Sequence, residues 1–427
     1  MKKIDLVFVD AGGGHRSTAT ALCQALKNHH PFLEPRLFNL GETEVVESMD
    51  IFHKIIGILG TDFYNLMLKK GWTRLESLYL TLAKFSIRCQ HSTGLNVLEK
   101  YWLERQPYLV VSCIPLLNRV LWESLKRVMP DTPFITMLTD FADCPPNYWI
   151  EPQKQFFICP TERAVAQARS LGHPQANIFR TSGLVINPQF YEPIGIDRRI
   201  ERQRLGLDPD LPTGLVMFGS QGSKVTIEIA ECLERSALQQ RKLSQLNIQL
   251  IFICGHNEKV ASTLRRSQSR LPKFIEMFTT QIPYYMHLSD FFIGKPGPGS
   301  ISEALVMKLP VITECNASTL VQERYNAEWI VNNEVGIVID NFRHIDKAIA
   351  KLIQPETLAH YRGNATVLNN QAVFEVVDIL KSILEPGESL FSYTDNVSEV
   401  RNCSNEFFTS KRLLSMLEQP IPSASAS

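Results

Sequence analysis

The stretch FFIGKPGPGSISEALVMKLPVITECNASTLVQERYN, Phe291 to Asn326, decides how the rest of the chain is read. Its apolar opening, Phe291-Phe292-Ile293, predicts a buried strand. The glycine and proline turn GKPGPGS follows, and Ser300 is placed to cap a helix carrying Glu303 in its first turn. Leu309 to Thr313 predicts a second short strand, and Gln322, Glu323 and Asn326 then fall within about one turn of a second helix start. An α/β fold binds ligands beyond the carboxyl ends of parallel strands, where helix N-termini offer free N–H groups to phosphate. In that setting Glu303 can accept from ribose hydroxyls, and Gln322 and Glu323 from sugar hydroxyls. A GPG turn alone fits equally an ordinary strand–turn–helix with surface polar residues.

Composition narrows the classes. The 427 residues suffice for two ordinary domains plus a tail, and 44% hydrophobic with 21% charged content describes a soluble globular protein. The formal net charge is zero, so no global field favours nucleic acid. Nine scattered cysteines, without CxxC or a Cys/His cluster at zinc spacing, predict reduced thiols in the cytoplasm and no metal site. Met1-Lys2-Lys3 and the six residues before Asp10 are too short for a signal peptide, and no run approaches the ~20 apolar residues of a membrane span.

Along the first half, Ile4 to Val9 predicts a buried parallel strand, followed by the turn Asp10-Ala11-Gly12-Gly13-Gly14-His15 and a helix from Ser17 to Asn28. Gly12, Gly13 and Gly14 are candidates for an acceptor or phosphate loop; a tight turn using positive φ is the plain alternative. Residues 51–88 carry six Lys/Arg against two Asp/Glu, interleaved with Phe52, Phe63, Tyr64, Trp72, Tyr79 and Phe85. That mixture suits an amphipathic segment on an anionic membrane surface, with Lys69, Lys70, Trp72 and Arg74 as its contacts, or core helices with a solvated basic face. Strands at 108–113, 133–138, 156–159 and 177–181 alternate with helices. Thr139-Asp140 ends one of these strands, where acceptor contacts belong. Asn187 to Gly195 predicts a linker.

The pattern then restarts. Leu215 to Phe218 predicts a strand, Gly219-Ser220-Gln221-Gly222 a turn, and 224–238 a helix. Strands at 248–254 and 274–279 and helices over 344–385 follow. Asp208-Pro209-Asp210 has the DxD spacing of some metal-dependent transferases, but its proline and setting predict turn chemistry. Nine of the 42 residues from 386 to 427 are serine, which predicts a mostly disordered tail.

Four of these motifs together resemble glycosyltransferase family 28, and its diacylglycerol branch in particular, over roughly residues 5 to 380. They are GGGHRSTATAL from Gly12, Thr139-Asp140, the loop from Gly219 to Gly222, and the stretch holding Gly297-Pro298-Gly299, Glu303, Leu309-Pro310 and Gln322-Glu323. The resemblance implies two Rossmann-like α/β domains facing a cleft, the glycosyltransferase-B fold. It divides the chain into an acceptor and membrane-side domain (1–188) and a donor domain (189–385), whose last helix crosses back. It implies an inverting transfer of a hexose from a UDP-sugar to a lipid acceptor, without a metal or other cofactor, by a cytoplasmic enzyme peripheral on an inner or thylakoid-type membrane. His15 becomes the expected general base, with Asp140 as its orienting partner or its rival. The donor would meet Gly219, Ser220, Gln221, Gly222, Gly297, Pro298, Gly299, Ser300, Glu303, Gln322, Glu323 and Asn326, with uracil near the helix from Ile282. Ile114 and Pro145 stand where the branch carries acceptor-side histidines. That departure keeps two other readings open, a non-catalytic UDP-sugar or lipid-binding protein and a nucleotide-sugar epimerase.

Overall fold

A computed structural model describes residues 1–10, 13–45, 76–239 and 247–385. Gly12, the proposed membrane contacts Lys69, Lys70, Trp72 and Arg74, and the 386–427 tail lie outside the described residues. Residues 1–380 form one compact unit. The first half contains, in order, β1 (Lys2–Phe8), α1 (Gly14–His29), β2 (Leu33–Asn39), α2 (Glu76–Cys89), α3 (His91–Arg105), β3 (Leu109–Ser112), α4 (Asn118–Val128), β4 (Phe134–Met137), β5 (Phe156–Cys159), α5 (Glu162–Ser170) and β6 (Ile178–Arg180). After α6 (Arg198–Arg204) come β7 (Thr213–Met217), α7 (Val225–Gln239), β8 (Gln249–Ile253), α8 (Glu258–Arg266), β9 (Lys273–Glu276) and α9 (Ile282–His287). The chain continues through β10 (Phe291–Gly294), α10 (Pro298–Val306), β11 (Val311–Glu314), α11 (Val321–Asn332), β12 (Gly336–Ile339), α12 (Ile345–Leu352), α13 (Pro355–Leu368) and α14 (Ala372–Leu384).

The described strands form two parallel sheets, ordered β2-β1-β3-β4-β5-β6 and β12-β11-β10-β7-β8-β9. Alternate residues of the second sheet enter opposite cores. Leu215, Met217, Ile251, Ile253 and Phe292 face one, and Val216, Leu250, Phe252, Phe291 and Ile293 face the other. Side chains alternate along a strand, so burial on both faces yields the unbroken apolar runs seen in the sequence. In each sheet the chain fills one side, then returns to the other side of its first strand. The switch points therefore fall between β1 and β3 and between β7 and β10, where open α/β sheets bind ligands.

Two features of the sequence concealed elements. Glu34, Pro35 and Arg36 break the apolar pattern of β2, which stands at the edge of the first sheet as described, where proline is tolerated. The helix after β10 begins at Pro298 with Gly297 as N-cap, so Ser300 is not its cap. Proline's fixed φ suits the first helical position, and the helix starts three residues earlier than a serine cap at Ser300 would allow. Asp208 closes its own turn by accepting from the Asp210 and Leu211 amides, and Asp210 pairs with Arg199.

The roots of β7 and β10 are tied by one carboxylate. Asp290 accepts from Arg198 and Arg202 of α6, from Arg362 of α13 and from the Thr213 amide that opens β7. Burial pushes its pKa up, but Arg198, Arg202 and the Thr213 amide outweigh burial and hold it below the usual carboxylate range. Asp290→Asn should cost about 3–5 kcal/mol at neutral pH, the range for breaking a buried ion pair. A lowered carboxylate pKa contributes stability that is lost as pH falls through it, so the difference between wild type and variant should shrink in acid. Urea unfolding of both proteins across pH measures this; an unchanged midpoint at pH 7 contradicts it.

Candidate active site

Beyond the carboxyl ends of the strands lies a cavity of about 720 Å³, within the size range of small-molecule sites. Both sheets contribute to its wall. From the first come Gly13, Gly14 and His15 after β1 and Thr139 and Asp140 after β4. The second gives Gly219 and Ser220 after β7, and Gly297 to Ser300 and Glu303 after β10. Gln322 and Glu323, in the first turn of α11, complete it. Gly13 and Gly219 have φ of 86° and 74°, the left-handed region that lets each loop turn sharply into its helix or bend.

His15 sits in the first turn of α1. Its Nδ1 lies 3.0 Å from Thr139 Oγ1, and its ring meets Trp149 edge-on at 5.8 Å. Burial pushes the imidazole down to about 4, against a hydrogen bond to the Cys113 backbone that pulls the other way. The ring is thus neutral at physiological pH, and the positive end of the α1 dipole acts in the same direction. Asp140 is buried, and its Oδ2 accepts from Trp149 Nε1 at 2.9 Å. That indole is fixed from behind, because Asp143 accepts from the Asn147, Tyr148 and Trp149 amides and folds the loop around its own carboxylate.

On the donor side, burial pushes the half-buried Glu303 carboxyl up to about 8. Glu323 is buried and pairs with Lys295 Nζ at 2.7 Å. Asn326 does not reach the cavity wall. It is fully buried, and its Nδ2 donates to the Pro296 carbonyl at 2.8 Å, so it holds the turn from beneath. Gln221 and Gly222 also lie off the wall; Gly222 packs against the Cys254 carbonyl. Ile114 is fully buried, whereas the neighbouring Pro115 reaches the cavity. Pro145 is partly exposed and outside the wall.

Several wall residues were not singled out by the sequence. Lys295 lay within the quoted stretch, but its pairing with Glu323 depends on α11 folding back over the turn. Phe278 follows β9, is 49% exposed, and stacks on His256 at 4.3 Å with 13° between ring planes. Leu80, Ala83 and Ile87 of α2, beside the Tyr79 already noted in the sequence, give the cavity an apolar side. Among the described residues, no group of three or more His, Cys, Asp or Glu could hold a metal ion, and no helix is long and apolar enough to cross a membrane.

Residues 213–382 match the glycosyltransferase family 28 C-terminal domain. The chain is 27% identical over 417 residues to monogalactosyldiacylglycerol synthase 2, chloroplastic, of Arabidopsis thaliana, spanning 93% of this chain and 84% of the relative. It is 29% identical over 409 residues to probable monogalactosyldiacylglycerol synthase 2, chloroplastic, of Oryza sativa subsp. japonica, spanning 90% and 81%. Two solved structures share its fold. MnaA of S. aureus, solved with UDP, superposes with a TM-score of 0.57 at 16% identity, over 90% of this chain and 97% of that one. MurG of Acinetobacter baumannii gives 0.56 at 11% identity, over 90% and 100%.

Glu303 gives this site a measurable signature. Between its ordinary value of 4.5 and about 8, the folded protein keeps a proton that the unfolded chain has released. Stability contributed by such a group falls as pH rises through that window. Glu303→Gln should therefore stabilise the protein relative to wild type, with a gain that grows from pH 4.5 to pH 8. Unfolding midpoints across pH measure it; a difference that stays flat contradicts the raised carboxyl.

Proposed function

This chain carries the glycosyltransferase family 28 C-terminal domain and is similar over about nine-tenths of its length to monogalactosyldiacylglycerol synthases, and from this premise we propose that it transfers a hexose from a UDP-sugar to a lipid acceptor with inversion. One observation carries the proposal. A neutral histidine and two glycine-turn loops that lead from parallel strands, one of them opening helix α10, line the same cavity from opposite sheets. That arrangement suits a reaction needing a base on one side and an anion-stabilising surface on the other.

The acceptor hydroxyl attacks the anomeric carbon as the bond from that carbon to the UDP oxygen breaks. With the His15 proton on Nδ1 toward Thr139, Nε2 takes the hydroxyl proton. Asp140, held by Trp149, stands beside Thr139 and favours positive charge as it develops on the imidazole. The bond electrons leave with UDP, whose charge meets the amides at the start of α10 and in the turn at Gly219-Ser220. Glu303 and the α11 pair Gln322 and Glu323 supply acceptors for ribose and hexose hydroxyls. Phe278 offers a flat apolar face to the base. No metal is invoked.

The lipid part of the proposal rests on α2. One side of this helix lines the cavity with Tyr79, Leu80, Ala83 and Ile87, while Leu82 and Phe85 are 41% and 61% exposed. Lys84 and Arg88 lie on the same helix. An apolar path beside an exposed apolar and basic surface suits an acyl chain entering from an anionic membrane. In this reading the protein works peripherally at that surface.

His15→Ala should lower turnover by roughly 10²–10⁴-fold, the usual effect of losing a general base. UDP affinity should stay near wild type. Radiolabelled UDP-hexoses presented with diacylglycerol vesicles provide the assay, and calorimetry provides the affinity. If His15→Ala turns over within a few-fold of wild type while Asp140→Asn is inactive, the base is Asp140. Labelled UDP-galactose and UDP-glucose that both leave the vesicles unlabelled would reject the transferase reading.

Vesicle binding gives a separate check. Each basic side chain near an anionic surface contributes roughly 1 kcal/mol, screened by salt. Sedimentation with anionic vesicles should therefore weaken as salt rises, and equal binding to neutral vesicles contradicts the surface model.

A further inference from the structure

We propose that Lys295 is the cation that binds the donor diphosphate, and that it does so by exchanging Glu323 for the phosphate; this rests on the donor reading above. Lys295 follows the last residue of β10 at the switch point of the second sheet. Its side chain is 43% exposed and lines the cavity, whereas its partner Glu323 is only 8% exposed. The pair lies directly against Gly297, the N-cap of α10. A Cβ at Gly297 would sit 3.3 Å from Lys295 Cε and 3.7 Å from Glu323 Oε1, so the absent side chain leaves room for the ion pair at the mouth of the helix.

Two positive features therefore converge at one point, the ammonium of Lys295 and the N-terminal end of α10. Their proximity is unfavourable unless an anion joins them. Glu303 does not fill that role at neutral pH, because its carboxyl holds its proton, and Glu323 is the carboxylate that does. A diphosphate carries more negative charge than one carboxylate and can bond both the ammonium and the helix amides. It is the better partner for Lys295.

The exchange has a second consequence. Glu323 is too buried to lose Lys295 without a replacement, since an unpaired buried carboxylate is costly. The hexose hydroxyls of a UDP-sugar can supply that replacement by donating to Glu323. UDP alone cannot, because it takes Lys295 and leaves Glu323 unpaired. The pair thus favours the intact donor over the nucleotide product. After transfer, Lys295 regains Glu323 as UDP departs.

Calorimetry on the full chain with UDP, UDP-galactose and UDP-glucose tests the exchange. Wild type should bind at least one UDP-hexose more tightly than UDP. Lys295→Met should weaken UDP and UDP-hexose alike by roughly 10- to 100-fold, the range of a lost charge-assisted hydrogen bond, and Lys295→Arg should recover most of that loss. Glu323→Gln removes the competing carboxylate. It should bind UDP about tenfold more tightly than wild type and lose its preference for UDP-hexose. Thermal melts establish that each variant is folded. Wild-type UDP affinity in Lys295→Met, or UDP binding by Glu323→Gln no tighter than wild type, overturns the exchange while the donor reading stands. A wild-type protein that binds none of the three nucleotides overturns both.

Discussion

Every described strand runs parallel to its neighbours, and the rest of the structure follows from that constraint. A parallel pair cannot be closed by a hairpin, so the chain must cross over the sheet between strands. The crossovers bury both faces, which explains why the strands read as unbroken apolar runs. They also bring the carboxyl end of each strand to the same edge. Loops at that edge are relieved of core packing and can hold glycine turns, free amides and polar side chains. Two such edges line one cavity, and chemistry supplied by one half can reach a ligand held by the other.

Within the cavity, burial sets the protonation states. It keeps His15 neutral and Glu303 protonated, so two groups that would ordinarily carry charge near pH 7 or below do not. The remaining charges on the donor side are the Lys295–Glu323 pair and the partial charges of helix ends. A site of this kind responds strongly to an incoming polyanion, since few fixed charges oppose it and low local polarity strengthens each contact.

The halves meet away from the cavity through contacts of mixed character. Phe141 of the first half stacks obliquely with Trp329 of the second at 4.6 Å. Arg163 lies over the Tyr325 ring at 4.3 Å and reaches Glu328 at 3.5 Å. The chain also returns to the first half near its end. Asn370 donates to the Leu184 carbonyl, the Ser182 amide donates to Glu375, and Ser182 Oγ accepts from the Gln371 amide. Beside these contacts one buried apolar cluster spans both halves, with Phe141, Leu184 and Ile186 of the first packed among Leu305, Leu309 and Ile330 of the second.

The sequence by itself determined the two α/β halves, because buried parallel strands leave apolar runs and their turns require glycine and proline. It also located His15, Asp140, Glu303, Gln322 and Glu323, since polar residues just past such runs fall at the ligand-binding edge. It missed β2, whose edge position tolerates Pro35, and misplaced the start of α10, where Pro298 rather than Ser300 sets the first turn. Tertiary structure alone decided which polar residues reach the cavity. Asn326 is one helical turn from Gln322 and Glu323, yet it is buried beneath the turn it supports, because α11 is seated along β11 and β12 and that seating fixes which of its faces meets the turn. Lys295 is an unremarked residue of a glycine turn until α11 brings Glu323 within 2.7 Å of it. Residue type and local period are written along the chain, but the pairing of groups 28 residues apart exists only after the strands have fixed the direction of the loops between them.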